Sequence, residues 1–429
     1  MKKPNQNLMA TTPHVVCADT KTPKSLIEYF KPKLSIALLE ISYPLLLVGS
    51  CGSGRVSTIC SLLSQNIRDE MPFVYINGQG DTSIYSTLFS YAESNSRKDD
   101  LYLINFMRGE PGLSHTFDPI NPLIGDEESF LAIFGPDFGK VIHALSACEL
   151  AAGKLVDIDR LRSFITLESL EQTLEQAKYA SAKQIVSGYL ESIRGLEHGA
   201  PGKRELEKAL CLHDKNTAKA NQLIELIEKY PVFSTNPDIN FSQLYEHKKF
   251  LLVALPALEK DPDVLGTLNT LFACLLSRVT QHFPAASAHP AVVFDASFDQ
   301  AVLRPTVLSR FAKTNTLFAY TSFPFYGRPN YATFLEIVQM ARAFINMKCE
   351  SPIPNSILES AWKHGLPFKL PEKIFYTLRP GDGIAWGNIG VLRNKVMRKL
   401  VGESNFTLRH VVPARVEVIS LSKKPIYAD

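Results

Sequence analysis

Pro44-Leu-Leu-Leu-Val48, then Gly49-Ser-Cys-Gly-Ser-Gly54, then Arg55-Val-Ser-Thr-Ile-Cys-Ser-Leu-Leu63 is the stretch that decides the fold of this 429-residue chain. The first piece is an apolar run of strand length. The second is a glycine turn, and the third sets Ile59, Leu62 and Leu63 at helical spacing. Strand, glycine turn and helix in that order form the shell of a phosphate-binding loop, in which glycines let backbone N–H groups curl around phosphate oxygens at a helix N-terminus. In the pattern G-x-x-x-x-G-K-[ST], Gly49 and Gly54 take the glycine positions and Gly52 adds freedom, but Arg55 stands at the Lys and Val56 at the Ser/Thr. Arginine keeps the positive charge on a planar fork of different shape, and valine has no oxygen for magnesium. Ser57 and Thr58 come one and two positions late on a helix that turns about 100° per residue. Nucleotide or phosphate contacts are expected from Gly49, Gly52, Ser53, Gly54, Arg55, Val56 and Ser57. The segment taken alone reads equally as an ordinary strand-to-helix turn, so the surrounding strands must decide.

Working outward, strands are expected at Phe73-Val-Tyr-Ile76 and Leu101-Tyr-Leu-Ile-Asn-Phe106, with an amphipathic segment from Ile84 to Glu93 between them. The theme resumes at Phe250–Leu255, Ala291–Phe294 and Thr316–Tyr320, short apolar runs suited to buried parallel strands. From Phe130 to about Lys229 strand signals give way to helical patterns such as Asp159–Leu174 and Thr217–Lys229. The fold expected is therefore α/β, a RecA-like P-loop domain with a central, mostly parallel sheet and an inserted all-α domain. Its parts are an extension over 1–43, a nucleotide-binding-like part over 44–135, the all-α insertion over 136–232 and a second nucleotide-binding-like part over 233–429. Further helix is expected at Pro354–His364, and a turn between strands at Pro-Gly-Asp-Gly383.

A nucleotide site of this kind also needs a strand ending in an acid that organises magnesium, followed by Glu to activate water. Ala291-Val-Val-Phe-Asp295-Ala296 supplies the strand and Asp295, the candidate metal ligand, but Ala296 replaces the Glu. Losing a general base typically reduces a rate by roughly a hundredfold to ten-thousandfold. Asp299 is the alternative acid, one helical turn on.

Taken together these segments resemble the coupling ATPases of type IV secretion and conjugation, the TraG/TraD-like pumps, especially those of Dot/Icm and IncI type. The likeness runs from about Pro44 to about Ala414. It is carried by the glycine turn, by Val74-Tyr-Ile-Asn-Gly-Gln-Gly-Asp81, and by Asp99–Asn105 with Ser114-His-Thr-Phe-Asp-Pro-Ile-Asn-Pro122. Tyr230-Pro-Val-Phe233 and Leu251–Lys260 extend it. The resemblance implies an all-α domain that recognises DNA or substrate complexes, a γ-phosphate-sensing Gln at the end of a later strand, and an Arg on the helix before it. Arg310 matches that Arg as a candidate catalytic group, while Thr321 stands where the Gln should be. It also implies ATP or ADP as cofactor, with magnesium in doubt because of Val56. Family members usually begin with a transmembrane hairpin; here the chain is expected to dock on membrane-bound partners or to lack a removed segment.

Four departures, at Arg55, Val56, Ala296 and Thr321, fall on the chemistry while the framework keeps its pattern. The expected function is a catalytically degenerate coupling-protein relative, a structural or adaptor subunit whose partners are proteins of a secretion or conjugation complex, in a homo- or hetero-oligomer. A divergent active motor, its base drawn from Asp299 or a neighbouring subunit, is the enzyme alternative. A nucleic-acid-binding module is the other, through Arg393, Lys395, Arg398 and Lys399 or through Lys203-Arg204. The formal charge of +3, from 46 basic against 43 acidic residues, gives DNA binding no support from net charge. Seven scattered cysteines without a Cys-x-x-Cys pair predict neither disulfide framework nor zinc site and fit a reducing cytoplasm. The expected location is cytoplasmic, peripheral at the inner membrane through partners. His143, His213 and His410 lack partners at metal-ligand spacing, and Trp362 and Trp386 read as packing anchors.

Overall fold

Leu45 to Val48 forms a buried strand because both its faces are apolar, and the strands beside it share that property. The computed structural model describes residues 43–81, 83–107, 114–194, 203–257, 261–279, 289–296, 305–322 and 330–349, with strand segments at 19–20, 39–40, 382–387, 390–391 and 415–420. In chain order the strands are β1 (Asp19–Thr20), β2 (Leu39–Glu40), β3 (Leu45–Val48), β4 (Phe73–Asn77), β5 (Leu101–Asn105) and β6 (Phe250–Ala254). They continue with β7 (Val292–Asp295), β8 (Thr316–Tyr320), β9 (Ala343–Met347), β10 (Asp382–Gly387), β11 (Gly390–Val391) and β12 (Arg415–Ser420).

One sheet runs β1-β12-β10-β9-β3-β8-β7-β4-β6-β5. From β9 to β5 every pairing is parallel, and β10, β12 and β1 extend the β9 side antiparallel. The strand that enters the glycine turn is thus separated from the acid-bearing β7 by β8 alone. That order brings the ends of β3, β8 and β7 side by side.

The helices are α1 (Arg55–Arg68), α2 (Ser83–Ser94), α3 (Glu127–Phe134), α4 (Phe138–Ala151), α5 (Ile158–Ile165) and α6 (Leu167–Glu175). They are followed by α7 (Lys183–Arg194), α8 (Lys203–Lys229), α9 (Gln243–Glu246), α10 (Pro262–Val279), α11 (Pro305–Ser309) and α12 (Asn330–Met340). Because side chains alternate along a strand, Leu45, Leu47, Tyr75, Val293 and Ile345 meet Ile59, Leu62 and Leu63 of α1 and Leu88 of α2 on one face. Leu46, Val48, Ile76, Phe294 and Phe344 face the other way, into a core that also holds Leu268 and Phe272 of α10 and Phe334 of α12. That second core continues without a break through Phe117, Phe130 and Phe138 into the helices between β5 and β6, as far as Leu161, Tyr189 and Leu223.

Two local expectations change. The helical pattern over 159–174 breaks at Thr166, whose extended backbone and hydroxyl cap α6 by accepting the Ser169 N–H. The pattern at 217–229 is the second half of the longer α8. Among the described residues no helix is long and apolar enough to cross a membrane. The expected helix at 354–364, Trp362, His410, Asp299 and the basic set from Arg393 to Lys399 lie outside the described residues, as do the side chains of Lys203 and Arg204.

Candidate functional site: the glycine turn and Asp295

The turn follows from backbone chemistry. Gly52 and Gly54 adopt φ of 75° and 99°, in the left-handed region that glycine enters freely. Gly49 is held by sterics instead: a Cβ there would stand 2.6 Å from the Ser53 hydroxyl oxygen and 3.0 Å from the Met347 Cβ. The turn is tied down at its base, where the Gly49 N–H donates to the Tyr320 carbonyl at 3.0 Å and the Ser50 N–H to the Lys348 carbonyl at 3.1 Å. Helix α1 then starts at Arg55, with first-turn N–H groups that have no intrahelical acceptor.

Side chains of a helix lean toward its N-terminus, so Arg55, the first residue of α1, lies back over the turn. Its guanidinium is 2% exposed and turned inward. Nε donates to Asp295 Oδ1 at 2.9 Å, and Nη1 donates to the carbonyls of Gly49 at 2.6 Å and Tyr320 at 3.3 Å. One side chain therefore joins the ends of β3, β8 and β7. The other carboxylate oxygen, Asp295 Oδ2, accepts the Tyr75 hydroxyl at 2.9 Å. Burial raises the Asp295 carboxyl above its ordinary value against the opposing pull of Arg55 and Tyr75, and burial together with the Asp295 charge holds the Tyr75 phenol well above its own.

Asp295 and the turn are brought together as the sequence predicts, but the orientation of Arg55 differs from a phosphate clamp. Its charge is spent on a buried carboxylate, and that carboxylate has both oxygens engaged. Val56 carries no hydroxyl, Thr58 donates its own to the Gly54 carbonyl at 3.1 Å, and Ser57 contributes its carbonyl to the Ser61 hydroxyl. Ala296 is buried, with φ of 53°. Thr321 follows Tyr320 at the turn end of β8. The donor set thus offers magnesium neither a free carboxylate oxygen nor a hydroxyl at the Val56 position.

Arg310 is not part of this constellation. It precedes the first residue of β8, whereas the turn follows the last residue of the parallel β3, so the two lie at opposite ends of the sheet. There it grips Asp126 with both terminal nitrogens, one bond measuring 2.8 Å, and also reaches the Ser277 hydroxyl. Burial raises the Asp126 carboxyl, but Arg310 and Ser129 outweigh it and hold that group below the usual carboxylate range. Tyr75 is the participant that sequence reasoning missed. Its strand was legible, but no motif marks a tyrosine aimed at an acid on the adjacent strand of the sheet.

No protein-family model matches the chain. It is 27% identical over 277 residues to the type 4 coupling protein DotL of Legionella pneumophila subsp. pneumophila (strain Philadelphia 1), a match that takes in 54% of this chain and 35% of that protein. The fold aligns with the bacterial conjugative coupling protein TrwBdeltaN70 in its unbound monoclinic form, with a TM-score of 0.53 and 12% identity over 89% of this chain and 84% of that one. The chain is similar in sequence to a type 4 coupling protein and shares the fold of a conjugative one. Its sheet has the α/β P-loop NTPase fold, with β3, β8 and β7 ending together at the glycine turn. The chain spans about a third of the length of the DotL protein it matches, 35%.

Proposed function

We propose that this chain is a catalytically degenerate coupling-protein-like P-loop protein that serves as a structural or adaptor subunit of a type IV secretion or conjugation apparatus. The observation that supports this reading is the buried Arg55–Asp295 pair, which removes both the phosphate-clasping cation and the metal-organising acid from use. Val56 and Ala296 act in the same direction, because neither a metal hydroxyl nor a general base is supplied at their positions. Partner binding would fall to the surfaces of the sheet domain and of the helices between β5 and β6, in contact with protein subunits and in a homo- or hetero-oligomer. Association with the inner membrane would then come through those partners, and any ATP or ADP held at the turn would be bound without turnover. The test is steady-state ATP hydrolysis with magnesium, alone and with double-stranded DNA. No turnover above background is expected; robust magnesium-dependent turnover that Asp295→Ala abolishes would overturn the reading and favour a divergent motor.

A further inference from the structure

The buried pair does more than subtract catalytic groups. In a working phosphate loop, the cation at the first helical position meets phosphate outside the turn, and the carboxylate at the end of the acid strand faces a metal. Here one guanidinium meets the needs of both positions from inside: it neutralises Asp295 and takes up the Gly49 and Tyr320 carbonyls, which are left over where β3 and β8 stop. The Tyr75 hydroxyl completes the acid's shell. Arg55 Nε and Nη1, both Asp295 carboxylate oxygens and the Tyr75 hydroxyl are all paired within the chain. The turn above it is exposed at Cys51 and Gly52 and stays open to solvent.

We propose that Arg55 is a built-in plug, an internal ligand that holds the cation of the phosphate turn inward, so that a nucleoside polyphosphate gains that cation only when the Arg55–Asp295 contact is broken. This rests on the degenerate reading of the same site and adds to it a cause. The turn is silenced by a contact that holds its cation inward, while the glycine geometry able to face phosphate is retained. The plug also ties the ends of β3, β8 and β7 together without any ligand.

The charge balance indicates how to release it. Asp295→Asn keeps the shape and the hydrogen-bonding capacity of the acid but removes the charge that holds the guanidinium inside, leaving a buried cation with every reason to turn outward. Arg55→Lys supplies a compact ammonium with no planar fork to span an acid and two carbonyls. The experiment is titration of fluorescently labelled ATP, without magnesium, into the wild-type chain and both variants, with circular dichroism and thermal melting as folding controls and inorganic phosphate as competitor. Wild type is expected to show no affinity and no rise in melting temperature with ATP. Each folded variant is expected to bind at least about tenfold more tightly than wild type, about 1.4 kcal/mol, with binding weakened by salt and by phosphate. Wild type that binds as tightly as the variants, a wild-type melting temperature that climbs with ATP, or folded variants that gain nothing would each overturn the plug. Should Asp295→Asn fail to fold, Arg55→Lys and the wild-type melting curve decide. These results separate from the functional reading: a wild type that binds ATP without hydrolysing it sinks the plug and leaves the adaptor role standing, whereas turnover sinks the role.

Discussion

Arg55 and Asp295, 240 residues apart in sequence, lie 2.9 Å apart with their side chains 2% and 1% exposed. A carboxylate removed from water this completely depends on its partner. Arg55→Ala should therefore destabilise the fold by about 3–5 kcal/mol, the usual consequence of stranding one half of a buried pair. Replacing both residues by apolar ones, Arg55→Met with Asp295→Leu, should be much less harmful than the two single changes added together, with a coupling of about 1–3 kcal/mol. Denaturant unfolding of the four proteins measures this; simple additivity would show that the pair is not a unit.

The same logic applied at the other end of the sheet gives a structural role to Arg310. It fastens Asp126, just before α3, to the segment leading into β8. Arg310→Gln should lower stability by about 1.5–3 kcal/mol, as for a charge-assisted hydrogen bond. ATP binding should be unaltered in it relative to wild type. A variant of normal stability with changed nucleotide binding would return Arg310 to the site.

Two helical glycines make opposite predictions. A Cβ at Gly139 in α4 would come within 2.7 Å of the Phe130 carbonyl oxygen of α3, a backbone atom with nowhere to retreat. Gly139→Ala should therefore destabilise by about 1–3 kcal/mol through overpacking where the helices cross. Gly188, inside α7, has nothing within 4 Å of its added Cβ. Gly188→Ala should stabilise by about 0.5–1 kcal/mol because alanine loses less backbone entropy in a helix. Thermal melts of both variants check the pair of signs.

The parallel core was legible in the sequence because its strands are continuous apolar runs: β4, β5, β6, β7 and β8 fall within a residue or so of where the pattern of Phe73–Ile76 and its successors puts them. The glycine turn and Asp295 were legible for a different reason, since backbone conformation and charge at fixed spacing leave residue-type signatures. What was not legible is direction. Nothing in Gly54-Arg55 says whether the guanidinium points out to phosphate or in to Asp295, because that depends on β8 being the single strand between β3 and β7 and on two carbonyls left over at their ends. Arg310 shows the same limit: its distance along the chain from β8 fits a sensor, yet the partner that claims it, Asp126 at the start of α3, is far away in sequence.

Acid sensitivity should centre on Glu149 at the end of α4. Burial pushes its carboxyl up, but hydrogen bonds from Tyr179, Arg160 and Lys178 outweigh this and bring it down to about 2 from an ordinary 4.5. A depressed carboxyl contributes stability that is fully present above the unfolded value and is lost as pH falls toward the folded one. Melting temperature should therefore drop between pH 4.5 and about 2. Glu149→Gln should be less stable than wild type at pH 7, and the gap between the two should narrow as the pH falls through that window. A gap that stays constant to the acid end would contradict the assignment.

With Asp295 committed to Arg55 and Tyr75, and with no hydroxyl on Val56, the glycine turn should gain nothing from magnesium. Calorimetric titration of ATP into the wild-type chain with and without magnesium tests it most directly. The same result is expected in both, with no affinity gained from the metal. Binding that magnesium strengthens about tenfold or more, equivalent to about 1.4 kcal/mol, would contradict it.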